Sequence, residues 1–263
     1  MINKILFIIT IIFSFSAQAS NNCFVAKENG RIIKQEGKCD LRHSPYSSFK
    51  VTLSIIGFDS GILKSSNEPL IELTPERMKG IETLYNPQKM PIMYFWNNSH
   101  SPSSWIKYSV VWYSQYISQN LGVVKLQEYL EKFNYGNKDI SGTPNQNDGL
   151  LNSWINNSLQ ISPLEQLDFI DKLSTLSLPV SKQAQKNTID IIKLENIWND
   201  WQLYGKTGGG KGLGWFIGWI VKDNRKISFV QYIEQPSDSL ISGGLVAKEL
   251  VKNNLIPIIL NLN

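Results

Sequence analysis

Two short strings carry side chains whose types and spacing suit chemistry on an acyl group. In Ser47-Ser-Phe-Lys50 a hydroxyl and an amine stand three positions apart. On a helix that spacing puts both on one face, about 5–6 Å apart at Cβ. A serine attacks a carbonyl carbon only when a neighbouring base takes its proton, and Lys50 is within reach to do so. A helix start also lends partial positive charge to an oxyanion forming beside it. The second string is Lys206-Thr-Gly-Gly209, placed after an apolar strand. There an ammonium and a hydroxyl can meet a substrate carboxylate, and glycines let backbone N–H groups approach a carbonyl oxygen. Gly205 to Gly212 nearly matches a phosphate-binding loop, but Gly212 stands where a hydroxyl must ligate magnesium, and a strand rather than a helix follows. Nucleotide binding is excluded on those grounds.

Ser109-Val-Val111 and Tyr135-Gly-Asn137 say little alone. Their order does more: Ser-x-x-Lys, Ser-x-Val, Tyr-Gly-Asn, then Lys-Thr-Gly in one chain resembles the penicillin-recognising serine enzymes, and within them the class D serine β-lactamases, or oxacillinases. Ser109–Gln115, Phe133–Gly142, Trp154–Pro163 and Tyr204–Gly208 all look like oxacillinase segments. The resemblance implies an α/β (α+β) fold of the β-lactamase/transpeptidase type, a mainly antiparallel sheet flanked by helices with a helical subdomain. It implies hydrolysis of β-lactams through an acyl-enzyme on Ser47, with Lys50 carboxylated by CO2 as general base and no other cofactor. By the same resemblance Ser109 relays a proton, the Trp154 indole holds the carbamate, and Ser47 and Gly209 supply oxyanion N–H groups. Lys206, Thr207, Gly208, Gly209, Val111, Tyr135 and Asn137 bind substrate. Lysine desolvation makes the carbamate chemically reasonable, because only a neutral amine attacks CO2.

The sequence departs from the family pattern in two places. Ser48 stands where threonine usually follows the nucleophile, and Glu234-Gln-Pro-Ser-Asp238 has no arginine to anchor a substrate carboxylate. Anchoring then falls to Lys206, Thr207 and Ser237, which looks like the narrow penicillin and oxacillin branch. The alternatives are a non-hydrolytic β-lactam sensor or a penicillin-binding transpeptidase or carboxypeptidase. A sensor normally hangs from transmembrane helices, and a transpeptidase typically lacks the Trp154 segment.

The elements that must position these residues follow from pattern. Serines and Pro45 open a helix that stops near Gly61. Helical patterns also cover Ser109–Leu121, Val124–Phe133, Ser162–Leu176, Lys182–Glu195 and Leu240–Lys252, with an irregular stretch at 64–107. Strands are expected over Trp201–Gly205, Gly214–Val221 and Lys226–Ile233. Phe24 to Glu36 reads as a hairpin turning at Asn29-Gly30. Sheet segments at about 20–45 and 196–263 thus bracket a helical part at about 46–195.

Lys4, the apolar run Ile5–Phe13 and Ala17-Gln-Ala19 form a secretory signal, giving a mature domain of 20–263 in the periplasm. In that oxidising setting Cys23 and Cys39 are able to pair, but a turn centred at Asn29-Gly30 sets Cys23 opposite Glu36 and Cys39 just past it, so the bridge stays open. No metal is expected, since His43 and His100 stand without further ligands at zinc spacing. With 26 basic and 22 acidic residues scattered along 263, nucleic acid is not a partner. Neither a membrane contact of the mature form nor a protein partner is implied, leaving a small β-lactam.

Overall fold

The computed structural model describes residues 21–210, 212–239 and 241–260. The expected export signal lies outside them. The chain opens with β1 (Cys23–Glu28) and β2 (Arg31–Gly37), then a 3-10 turn over Tyr46–Phe49 that runs into α1 (Lys50–Asp59). The helical half continues through α2 (Pro75–Lys79), α3 (Pro102–Tyr108), α4 (Val111–Leu121), α5 (Val123–Phe133), α6 (Gly149–Asn152), α7 (Pro163–Ser174) and α8 (Lys182–Ile191). The chain then returns to the sheet as β3 (Lys193–Ile197), β4 (Trp201–Gly210), β5 (Leu213–Lys222) and β6 (Arg225–Glu234), before α9 (Gly243–Ile259).

The six strands lie in the order β2-β1-β6-β5-β4-β3, with every neighbouring pair antiparallel. Successive strand residues face opposite sides, and here both sides are covered. On β5 and β6, Trp215, Ile217, Trp219, Val230 and Tyr232 join the large core shared with the helical half, while Phe216, Ile220, Ile227, Phe229 and Ile233 pack with α9. That double burial explains why Trp215–Val221 reads as an unbroken apolar run. Ala247, Val251 and Leu255 recur at fourth positions and give α9 its buried stripe. Complete burial of each larger side chain contributes roughly 1.5–3 kcal/mol. Among the described residues no helix is long and apolar enough to cross a membrane.

The hairpin turns at Asn29-Gly30 as expected, but a register shift between Ala26 and Lys27 sets Cys23 opposite Gly37 rather than Glu36. One residue of slippage brings the two cysteines together, their Cα atoms 5.1 Å apart, and the disulfide is formed. Four other expectations change. Pro75–Lys79 and Pro102–Tyr108 are helical inside the stretch expected to be irregular, each opened by a hydroxyl cap, Thr74 and Ser101. Ser109 is not helical: it holds φ +56° as the link between α3 and α4. The helix expected to reach Glu195 stops at Ile191, where Lys193–Ile197 turns to pair with β4 as a short polar edge strand. That pairing overrides local helical preference, because strand tendency depends on available neighbours. The last helix begins at Gly243 and continues past Lys252 to Ile259.

Closing a loop of 16 residues removes unfolded-state freedom worth about 3 kcal/mol. The Cys39→Ser variant is therefore expected to unfold at lower denaturant, by about 2–3 kcal/mol in chemical denaturation. An unchanged midpoint would show that the disulfide adds no stability.

Candidate active site

The Ser47–Lys50 spacing works as the sequence suggests, through a tighter turn. Ser47 lies in the 3-10 turn and Lys50 is the first residue of α1, and Lys50 Nζ donates to Ser47 Oγ at 2.9 Å. Ser47 is half-buried, whereas Phe49 and Lys50 are fully buried. Burial drives the Lys50 pKa well below its ordinary value, and the nearby Lys206 lowers it further. Both effects favour the neutral amine, the form able to accept a proton.

Lys206 comes from the opposite side of the cleft. Its Nζ donates to Ser109 Oγ at 3.0 Å and to the Thr207 carbonyl at 2.8 Å. Burial pulls its pKa down to about 7. The left-handed backbone of Ser109 carries its hydroxyl out of the α3–α4 corner toward this strand. Val111, at the start of α4, is buried beside it. Thr207 is half-buried, with its Cβ against Gly244 at the start of α9. Rather than ending before Lys206, β4 runs on through Gly210.

Two glycines of β4 seat the nucleophile turn. A Cβ on Gly208 would lie 2.7 Å from the Ser48 nitrogen and 2.8 Å from the Pro45 carbonyl oxygen. One on Gly210 would lie 1.9 Å from the Tyr46 ring. Any side chain there would push the turn off the strand. Tyr46 itself adopts φ +47°, a conformation that stores strain in an aromatic residue directly before Ser47.

Trp154 walls the buried amine. Lys50 Nζ sits 4.5 Å from the centre of its ring, and Phe49 stacks nearby at 6.2 Å. The indole Nε1 is buried without a hydrogen-bond partner among the described residues. A buried indole N–H normally finds an acceptor, so a donor is available where Lys50 ends. An added carboxylate on that lysine fits the side chains present.

Tyr135 and Asn137 are not brought to this cleft. Tyr135 is 1% exposed, with its ring 5.5 Å from Phe49 and edge-on to Phe169 at 5.3 Å. Burial pushes its phenol pKa up, with Thr52 and Gln166 facing the hydroxyl. The Asn137 amide is spent inside its own loop, accepting from the Asp139 and Gln160 N–H groups and donating to the Ser158 carbonyl. Tyr135 backs Phe49 and faces Thr52 of α1, while Asn137 ties the turn after α5 to residues 158–160.

The sequence reading also missed a use for Ser44. It does not cap a helix; the turn begins at Pro45 with no side-chain cap. Ser44 Oγ donates instead to the Trp154 carbonyl at 3.0 Å and accepts from the Asn156 N–H at 2.9 Å. A serine before Pro-Tyr gives no signal of a partner more than a hundred positions away. The two histidines are structural: His43 stacks on Tyr232 at 3.9 Å, and the His100 ring lies between Ser104 Oγ and the Phe95 carbonyl.

Residues 17–255 match the penicillin-binding protein transpeptidase domain family. The chain is 35% identical over 257 residues to β-lactamase OXA-1 of Escherichia coli, spanning 94% of this chain and 86% of that protein. It is 38% identical over 232 residues to β-lactamase OXA-9 of Klebsiella pneumoniae, spanning 84% of this chain and 81% of that protein. The solved structure of the class D β-lactamase OXA-427 matches with a TM-score of 0.80 at 33% identity, over 92% of this chain and 100% of that one.

Gly208→Ala must move either the strand or the nucleophile turn. Acylation of Ser47, followed by rapid-quench kinetics, is expected to slow by roughly tenfold to a hundredfold. Wild-type acylation in this variant would show that the close approach at Gly208 does not set the geometry of Ser47.

Proposed function

Because this chain belongs to the class D serine β-lactamases, we propose that it opens penicillin- and oxacillin-type β-lactams through a Ser47 acyl-enzyme, with CO2 held on Lys50. The observation that carries this reading is the buried Lys50 amine, bonded to Ser47 Oγ and lying over the ring of Trp154, whose indole N–H has no acceptor among the described residues. The lone pair of neutral Lys50 attacks the carbon of CO2, and the amine proton leaves to water. When present, the carbamate supplies the acceptor for the Ser47 proton and later for that of the deacylating water. Lys50 and Trp154 would hold it, the first covalently and the second through Nε1.

The chain's own residues perform the rest. Ser47 Oγ bonds to the lactam carbonyl carbon as its proton departs. The backbone N–H groups of Ser47 and Gly209 receive the negative oxygen, a contribution typically worth about a hundredfold to a thousandfold in rate. Ser109 hands its proton to the lactam nitrogen as the C–N bond breaks and regains the one that Ser47 gave up, and Lys206, bonded to Ser109 Oγ, lowers the cost of the negative charge that passes through that oxygen. Lys206 and Thr207 attract the substrate carboxylate, and Val111 keeps bulk water from the lysine. Export by the segment before Ser20 is part of the same proposal and would put the enzyme where β-lactams reach cell-wall synthesis.

Isolated from the periplasm, the chain is expected to begin at Ser20 and to turn over oxacillin many times per molecule, whereas Ser47→Ala turns over none. Stoichiometric acylation without release would instead place it with the sensors.

Lys50 has a lowered pKa, so it is neutral above that value and takes a proton as pH falls through it, losing the lone pair that binds CO2. Activity is expected to fall steeply on acidification and to rise with added bicarbonate near neutrality. Indifference to bicarbonate in initial-rate measurements would remove the carbamate from the mechanism.

A further inference from the structure

Ser44 lies three residues before the nucleophile and is buried, 7% exposed. It is tied to the Trp154 turn at two points. Its hydroxyl donates to the Trp154 carbonyl at 3.0 Å and accepts from the Asn156 N–H at 2.9 Å. The Trp154 carbonyl also accepts from the Tyr46 N–H at 2.9 Å, so one peptide oxygen joins both sides of the nucleophile's approach strand. The Ser44 carbonyl is fixed from the sheet by Trp215 Nε1 at 3.0 Å, and His43 pairs through both backbone groups with Ile161. Asn156 adopts φ +51°, a left-handed conformation that needs outside support to persist.

We propose that Ser44 is a positioning residue for the lysine modification: its hydroxyl holds the Trp154 turn so that the unpartnered indole N–H stays within reach of a carboxylate added to Lys50. The inference rests on the carbamate reading above and extends it to a side chain that touches neither substrate nor Lys50. Without the hydroxyl, the Trp154 carbonyl keeps one donor of two and the Asn156 N–H loses its acceptor. The turn then relaxes away from the strand that carries Ser47. The indole packs on Phe49 and under the end of Lys50, but its backbone is set by this turn, so it loses alignment with the added carboxylate. CO2 affinity falls, while Ser47, Lys206 and Ser109 keep their own bonds.

The test is a bicarbonate titration of the purified full-length mature protein, reading the carbamate carbon by 13C NMR with labelled bicarbonate and, in parallel, oxacillin turnover. Lys50→Ala identifies the signal that belongs to the lysine. For Ser44→Ala the bicarbonate midpoint is expected to rise about tenfold, the scale on which a lost supporting hydrogen bond weakens a held group. Turnover should recover at saturating bicarbonate, and Ser44→Thr, which keeps the hydroxyl, should titrate like the wild type. Ser44→Cys, near in volume but a weak hydrogen-bonding group, serves the same purpose should the alanine variant not fold, with a midpoint between the two. A folded Ser44→Ala protein with a wild-type midpoint overturns the role of Ser44 and leaves the carbamate standing. A turnover loss that bicarbonate does not restore overturns it as well. A wild type with no lysine-dependent signal overturns the carbamate and, with it, this inference.

Discussion

A lysine amine taken out of water, with no acid to balance it, is the constraint on which this molecule turns. Lys50 is fully buried, and among the described residues neither it nor Lys206 forms an ion pair. An unpaired ammonium in such a place is unfavourable by many kcal/mol, so the group gives up its proton instead. A neutral amine beside a serine hydroxyl is reactive where a solvated one would be inert. Sustaining it requires a wall on every side but one. Phe49 and Trp154 enclose the lysine, Tyr135 backs Phe49, and only Ser47 remains half-exposed at the mouth.

Such a wall cannot come from one element. The site is a seam between the helical half and the sheet, and each half contributes one lysine-serine pair. Lys50 and Ser47 ride on the turn and helix that enter the helical half, and Lys206 comes from β4 to meet Ser109 at a helix corner. The seam holds because the strand is reduced to glycine where the turn crosses it. The far end of α1 is anchored as well: Asp59 accepts from Tyr129 Oη and from the Ser181 N–H, both at 2.8 Å, and these bonds favour its ionised form. With both ends of the helix held, Ser47 has little freedom to drift.

Much of this was legible in the residues. The short apolar runs placed β5 and β6 to within a residue, and Asn29-Gly30 placed the hairpin turn. Strong local chemistry makes such features readable at short range. Elements decided by distant partners were not legible. Lys193–Ile197 is polar and short and is a strand only because β4 offers it an edge. Ser109 looks like a helix residue until the corner between α3 and α4 forces it left-handed. Tyr135 and Asn137 sit in a motif read as substrate-binding, yet Tyr135 packs behind Phe49 and Asn137 bonds residues 158–160. A tyrosine and an asparagine suit a cleft and a loop equally well, and only packing chooses.

The sequence by itself determined the chemistry: a serine, its lysine three positions on, a second lysine on a glycine-bearing strand, and the order of four motifs. Those features are local, and spacing along one turn or one strand is enough to specify them. Tertiary structure alone decided whether that chemistry has the right environment. Desolvation of Lys50, the Trp154 ring against it with an indole N–H unpartnered among the described residues, the one-residue slip that closes Cys23 to Cys39 and the clamp from Ser44 to Trp154 all depend on segments far apart in the chain. Burial and long-range hydrogen bonds arise from three-dimensional neighbours, and no short stretch of residues encodes its own dielectric surroundings.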